Sequence, residues 1–349
     1  MMMYLLNDIY SKMGDELSKQ IYLRRLNYSI SKDYEYINQI LNISIRDNNL
    51  WTEFVDVMSS MDDSEVVLFG NGIWGVTLIS ELRNFHWKSI IDNTPKINMR
   101  GTIPVIKASD FFKNYKNEKI VISSYKHKES MVAQCVEAGV PYINVIDAAS
   151  VIYKLTEGRI YFDNDIPINL KEGVFVDGGC YDGSDTKRFV ELFDDSAICF
   201  EPDTKNIDKI TKNLIGYEDR YRVISKALWS EDTLLSFSSD GNCGSHIDLD
   251  NHSDGIVRAG SIDKEVGNTK VSMIKMDIEG SELEALHGTK RIIDRDHPVL
   301  AISIYHKLED VFSIPQYILE VYSGYKFYIR HYSFSWYDTV LYAIPEELR

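Results

Sequence analysis

At 349 residues, with 44% hydrophobic and 26% charged side chains, the chain reads as a globular protein of two domains plus an appendage. A formal charge of −15, from 38 basic against 53 acidic residues, argues against broad binding to a nucleic-acid backbone. No run of about eighteen uncharged apolar residues occurs and the stretch from Met1 to Asp8 lacks a basic start, so no membrane span and no signal peptide are expected.

The four cysteines, Cys135, Cys180, Cys199 and Cys243, form no Cys-x-x-Cys pair. Reduced packing cysteines in a cytoplasmic protein are the expectation. Residues 1–62 read as a helical segment. Leu17, Ile21, Leu23 and Leu26, then Tyr36, Ile37, Ile40, Leu41 and Ile43, recur at three- and four-residue steps. No residue there suggests chemistry, so the segment is taken as a packing cap or a homodimer-forming one.

From Glu65 the pattern turns to alternating strand and helix, and residues 63–150 read as a small Rossmann-like domain. The apolar strand Val66–Phe69 runs into Gly70, Gly72 and Gly75, spaced Gly-x-Gly-x-x-Gly. A second strand, Ser89–Asp92, ends in an acid 20 residues past Gly72. Gly70, Gly72, Gly75 and Asp92 are thus a candidate second nucleotide site, although such a turn also serves close strand–helix packing with no ligand. Further strands are expected at Lys119–Ser123 and Tyr142–Ile146. Residues 151–172 carry aromatic and apolar anchors and read as a docked connector.

Residues 173–349 repeat the alternation. Strands are predicted at Val174–Asp177, Ala197–Glu201, Arg222–Leu228, Val271–Asp277 and Val299–Tyr305, followed by a hairpin of Tyr325–His331 and Thr339–Ile344. Five βα units and an antiparallel pair imply a mostly parallel sheet in an α/β fold. Leu234–Ser238 reads as a short extra strand, and residues 240–260 as an irregular polar region. Within it His246, Asp248, Asp250 and His252 alternate, and a solvated loop or substrate lid is the preferred reading.

The chemistry gathers at the carboxyl ends of these strands. Asp177, Gly178, Gly179 and Gly183 form a glycine turn, and Glu201, followed by Pro202, ends the next strand 18 residues later. An acceptor-only carboxylate there suits both hydroxyls of a ribose. Asp182 lies inside the turn, where a pyrophosphate would be repelled, so a ligand of cationic character such as S-adenosylmethionine fits better than NAD. Lys275, Asp277 and Glu279 alternate at the end of the fourth strand and are expected to share a face. His306, as a neutral imidazole, is a candidate to take a hydroxyl proton. Lys275, Asp277, Glu279 and His306 are therefore the candidate catalytic residues. The alternative is a buried ion pair beside a helix-capping acid. A divalent ion bridging Asp277 and a sugar diol is compatible with this chemistry, but no metal-ligand set is assigned.

Tyr161-Phe162-Asp163, Val174–Thr186, Phe200-Glu201-Pro202-Asp203, Ile274–Gly280 with Glu282, and Ala301–His306 together resemble the FkbM family of methyltransferases over about residues 160–345. The most specific piece is Lys-x-Asp-x-Glu-Gly at 275–280 with a second Glu two residues on. One departure is Tyr181, where the family commonly has Asn. The resemblance implies a class I methyltransferase fold, S-adenosyl-L-methionine as cofactor, and O-methylation of a sugar, nucleotide-sugar or related natural product. Two other readings remain open. One is an NAD(P)-dependent oxidoreductase using Gly70–Gly75, and the other a non-catalytic nucleotide-sugar-binding protein.

Overall fold

The computed structural model describes residues 2–61, 65–238, 246–247 and 255–348. The chain divides into two compact units. One joins residues 1–41 to 160–349, and the other holds residues 42–159. The N-terminal helices are therefore shared between the units and form no segment of their own. The connector expected at 151–172 is likewise divided between them.

In the first unit, α1 (Met2–Ser11), α2 (Glu16–Ser31) and α3 (Glu35–Leu41) precede the crossing to the second. Asp15 caps α2 by accepting the Ser18 N–H at 2.7 Å. The buried stripe of α2 is Ile21, Tyr22 and Arg25, whereas Leu23 faces outward. Helical spacing alone does not show that a buried arginine can replace a leucine. The Arg25 guanidinium donates to the Thr339 hydroxyl and the Trp336 carbonyl. Met13, between α1 and α2, bridges to Phe327.

The second unit begins with a π-turn at Asn42–Arg46 and α4 (Asn49–Ser59). Its sheet follows: β1 (Val66–Phe69), α5 (Ile73–Glu81), β2 (Ser89–Asp92), β3 (Met99–Arg100), β4 (Ile103–Lys107), α6 (Ala108–Phe112), β5 (Lys119–Ile122), α7 (Lys128–Glu137), β6 (Val145–Asp147) and α8 (Ala148–Leu155). The strand order is 3-4-2-1-5-6, parallel except at β3. Tyr142–Asn144, expected as strand, is a 3₁₀ turn, because Pro141 and an Asn144 N–H bonded to the Pro141 carbonyl tighten the chain there.

The remainder of the first unit holds β7 (Val174–Gly178), α9 (Ser184–Phe193), β8 (Ala197–Phe200), α10 (Thr204–Asn213), β9 (Tyr221–Ile224), β10 (Ala227–Leu228), β11 (Thr233–Ser238), β12 (His246–Ile247) and β13 (Gly255–Gly260). It continues with α11 (Ile262–Val266), β14 (Val271–Met276), α12 (Glu282–His287), α13 (Lys290–Asp296), β15 (Val299–Ser303), α14 (Asp310–Val321), β16 (Tyr325–His331) and β17 (Thr339–Pro345). Seven strands form one sheet in the order 16-17-15-14-7-8-9, with β16 and β17 antiparallel to each other and β17 antiparallel to β15. The central strands β8, β14 and β15 are buried along their whole length because both faces are covered. Phe162, Phe175 and Phe189 fill one side, the last two stacked at 4.5 Å.

The strand expected over Arg222–Leu228 is two strands in two sheets. β9 ends at Ile224, and β10 leaves to pair with β13. Residues 255–260 of the region read as irregular are strand, antiparallel to β11. The alternating polar residues Asp248, Asp250 and His252 lie outside the described residues.

Candidate active site

The parallel register of β14 on β7 sets Lys275 opposite Asp177, and that of β8 on β7 sets Gly178 opposite Phe200. The carboxyl ends of three neighbouring strands therefore open on one glycine turn. Asp177 is fully buried and Lys275 is 3% exposed, and Lys275 Nζ donates to Asp177 Oδ1 at 3.0 Å and to the Gly179 carbonyl at 2.8 Å. The Thr186 hydroxyl donates to Asp177 Oδ2 at 2.7 Å. Burial alone lowers the pKa of the lysine, but Asp177, Asp185 and Asp277 together hold it well above its ordinary value. Lys275 Nζ also lies 5.2 Å from the centroid of the Tyr161 ring, whose hydroxyl bonds Asp277, and its bond to the Gly179 carbonyl ties the turn to the sheet.

The glycines answer first to the chain's own packing. A Cβ on Gly179 would stand 2.1 Å from the Asp277 carbonyl, and φ is +73°. Gly183 (φ +80°) caps α9, and Asp182 Oδ1 accepts the Ser184 N–H at 3.1 Å. That carboxylate occupies the place where a phosphate would meet the helix. Tyr181 adopts φ +49°, a left-handed conformation that Asn tolerates better than an aromatic residue, and its ring lies 4.4 Å from Lys209 Nζ.

Glu201, just past β8, is 4% exposed. Oε2 accepts the Tyr181 N–H at 3.0 Å, and Oε1 accepts the Asp203 N–H at 3.0 Å and Asn206 Nδ2 at 3.4 Å. Burial raises its pKa against these donors, and no cation pairs with it among the described residues. Pro202 follows, where the chain turns toward α10.

On the other side of the turn, β14 ends at Met276. Asp277 Oδ2 accepts the Tyr161 hydroxyl at 2.7 Å, and Oδ1 accepts the Tyr305 hydroxyl at 3.1 Å. Burial would raise the Asp277 pKa, but Lys275, His306 and the two tyrosines take it below the ordinary value. Glu279 does not continue the strand alternation. It sits at φ +55° in the turn, from which Oε2 reaches within 3.5 Å of His306 Nε2. His306 Nε2 is also 3.5 Å from Asp277 Oδ1, and Nδ1 is 2.9 Å from Glu282 Oε1. Burial lowers the imidazole pKa, yet Glu282, Asp277 and Glu279 raise it to about 9. The three carboxylates around the ring favour its protonated form, where the sequence suggests a neutral base.

Tyr161, Tyr305 and Glu282 are absent from the candidate set read from the sequence, although all three stand in or beside its motifs. Tyr161 is aimed by its own strained backbone (φ +66°) and by the Tyr342 hydroxyl, which accepts its N–H at 2.9 Å. Asp163, two residues on, accepts the Tyr332 hydroxyl at 2.8 Å.

In the second unit, Gly70, Gly72, Gly75 and Asp92 do come together. Asp92 accepts the N–H groups of Asn71 and Thr94, and Arg100 donates to Asn71 Oδ1 at 2.6 Å. A Cβ on Gly75 would stand 2.2 Å from the Gly70 carbonyl, whereas one on Gly72 would meet nothing within 4 Å. Asp92 thus spends acceptors on the turn itself, at the position where a ribose acid would stand.

The seven-stranded order, the glycine turn after the central strand and the acids on its two neighbours define a class I methyltransferase fold of Rossmann-like type. Residues 177–327 match the model of the methyltransferase FkbM domain. A curated 2-O-methyltransferase, NoeI of Sinorhizobium fredii, is 28% identical where aligned, over 35% of this chain and 59% of that protein. The chain thus spans less than two thirds of that relative. Among solved structures, an FkbM methyltransferase from Methylobacillus flagellatus is 18% identical, with 90% of this chain and 100% of that one covered and a TM-score of 0.47. Fibrillarin of Aeropyrum pernix, solved with S-adenosyl-L-methionine, is 8% identical over 54% of this chain and 72% of its own, with a TM-score of 0.33. No helix among the described residues is long and apolar enough to cross a membrane.

Proposed function

We propose that the protein is an S-adenosylmethionine-dependent O-methyltransferase acting on a hydroxyl of a sugar, a nucleotide-sugar or a related natural product. The observation that carries this reading is the placement of two acids. Glu201 and Asp277 flank one glycine turn from the strands on either side of it.

The residues fit the cofactor. Glu201 is a buried carboxylate held by three N–H donors, and Oε2, with a single partner, keeps an acceptor site for a ribose hydroxyl. The turn of Asp177, Gly178, Gly179 and Gly183 is bordered by acids, which suits a ligand bearing an ammonium and a sulfonium. When bound, S-adenosylmethionine supplies an electrophilic methyl group for transfer to oxygen. Lys275 is a positioning residue here, since it fixes the Gly179 carbonyl and the Asp177 carboxylate beneath the turn.

The acceptor side is the cluster of Asp277, Glu279 and His306. Asp277 is held in one orientation by Tyr161 and Tyr305 and accepts a hydrogen bond from the acceptor hydroxyl, aiming an oxygen lone pair at the methyl group. The proton released on transfer passes to the surrounding carboxylates. An oxygen acceptor is supported by the similarity to a 2-O-methyltransferase.

The test is transfer of labelled methyl from S-adenosylmethionine to a panel of sugars and nucleotide-sugars by the full chain. Label in an acid-stable ether product is expected, and its loss on Asp277→Asn. Label found only on amine or thiol acceptors would contradict an oxygen nucleophile.

A further inference from the structure

The loop between β16 and β17 carries two exposed aromatic rings. Trp336 is 42% exposed and Tyr337 36%, and their ring centroids stand 6.2 Å apart. Trp336 also lies 6.1 Å from the ring of Tyr305, whose hydroxyl donates to Asp277 Oδ1 at 3.1 Å. Both neighbours are close to perpendicular to the indole, at 72° and 82°, so neither stacks flat on its face.

The loop is anchored from below. The buried Arg25 donates to the Trp336 carbonyl and to the Thr339 hydroxyl. The Tyr332 N–H donates to the Asp338 carbonyl at 2.9 Å, and the Ser335 N–H to Ser333 Oγ at 3.2 Å. Burying a guanidinium costs free energy, and here that group fixes the backbone of a residue whose ring is left in water. Core packing does not account for such a ring, whereas a preorganised contact surface does.

Charge narrows what this surface takes. Burial, Asp277, Asp338 and Glu279 raise the Tyr305 pKa, so its hydroxyl stays a donor. With the buried Glu282 and Asp310, these acids face His306, Arg25 and Lys307. Of these cations Lys307 alone is exposed, and its Cε lies 3.3 Å from where a Cβ on Gly280 would stand. The acids outnumber the cations, which disfavours a phosphate and favours an uncharged ligand with hydroxyls to donate.

We propose that Trp336, flanked by Tyr337, is the platform on which the methyl acceptor stacks, and that the acceptor is an uncharged pyranose ring rather than a nucleotide-sugar. The C–H face of such a ring is weakly positive and seats on the negative face of the indole, while a ring hydroxyl donates to Asp277. This rests on the methyltransferase reading above, which makes Asp277 the end where the hydroxyl arrives.

The experiment is ¹⁹F nuclear magnetic resonance on the full chain labelled with 5-fluorotryptophan. Of the five tryptophans, the Trp336 signal is assigned by its loss in Trp336→Phe. The probes are the methyl glycosides of glucose, galactose, mannose and rhamnose, beside UDP-glucose and phenol, with S-adenosylhomocysteine present. At least one neutral glycoside is expected to move the Trp336 signal saturably. Trp336→Ala should weaken its binding about fivefold to tenfold, read on the sugar protons by saturation transfer. A Trp336 signal that no neutral glycoside moves overturns the proposal, as does one moved only by UDP-glucose or only by phenol. Equal binding by a folded Trp336→Ala overturns it too. Should that variant unfold, the ¹⁹F shifts of the unaltered sequence decide. Calorimetry with S-adenosylmethionine separates the two readings. Cofactor binding with an unresponsive Trp336 signal leaves the methyltransferase standing and removes the platform, whereas a responsive signal without cofactor binding leaves a sugar site and removes the methyltransferase.

Discussion

Replacing Lys275 by methionine isolates what the buried ion pair does. The methionine fills similar volume but leaves Asp177, fully buried, with the Thr186 hydroxyl as its one side-chain donor among the described residues, and frees the Gly179 carbonyl. Removing one partner of a buried pair costs about 3–5 kcal/mol, because the other charge remains without compensation. At a urea dependence near 3 kcal/mol per molar, that moves the unfolding midpoint down by about 1–2 M. Adding Asp177→Asn to the same chain removes the stranded charge and should return at least about 1 kcal/mol, so the two changes are not additive. The assay is urea unfolding followed by tryptophan fluorescence and far-ultraviolet dichroism. A loss below about 1 kcal/mol for Lys275→Met, or a double variant that costs the plain sum, would refute the role assigned to the pair.

Two further outcomes follow from the geometry. Gly179→Ala places a Cβ 2.1 Å from the Asp277 carbonyl at φ +73° and should cost more than about 2 kcal/mol, whereas Gly72→Ala meets nothing and should stay within about 0.5 kcal/mol by the same unfolding assay. His331 is buried against Arg25, which with desolvation pushes its pKa down to about 3. The Thr339 hydroxyl, already accepting from Arg25, donates to Nδ1 and so favours the neutral ring. The unfolded state therefore binds the extra proton. Stability carried by His331 is complete above about pH 6.5 and declines toward pH 3, by up to about 1.4 kcal/mol per pH unit. Between pH 5 and 6.5 the His331→Asn variant should show a shallower decline in urea midpoint than the unaltered protein. Equal slopes would contradict a buried neutral imidazole.

Much of the catalytic unit was legible because its strands are buried on both faces and end in glycine or acid. That pattern located β7, β8, β14 and β15 and placed Glu201 and Asp277 at strand ends, which the sheet order sets on either side of β7. What periodicity could not supply was the third dimension. Nothing in the spacing of Lys275 and Asp277 shows that the lysine bonds Asp177 and the Gly179 carbonyl, since that depends on the cross-strand register to Asp177. The break of β9 from β10 was hidden because Arg222–Leu228 is a plausible single strand, and only the pairing of Ala227 with Ala259 reveals a second sheet. His306 was read as neutral because the sequence does not say that Glu282, four residues past Ile278, folds back onto the same ring. The helical spacing of residues 17–26 missed Arg25 because burial of a guanidinium depends on distant partners at Trp336 and Thr339.

In the proposed function, Asp177–Gly183 and Glu201 hold the cofactor. The direct measurement is calorimetric titration of the full chain with S-adenosylmethionine, beside a Glu201→Ala variant of matched thermal stability. One site per chain is predicted for the unaltered protein. Loss of the ribose hydrogen bond to a charged acceptor should weaken binding in the variant by about 1.5–3 kcal/mol, roughly tenfold to a hundredfold. No binding by the unaltered protein, or equal affinity in the variant, would contradict the claim.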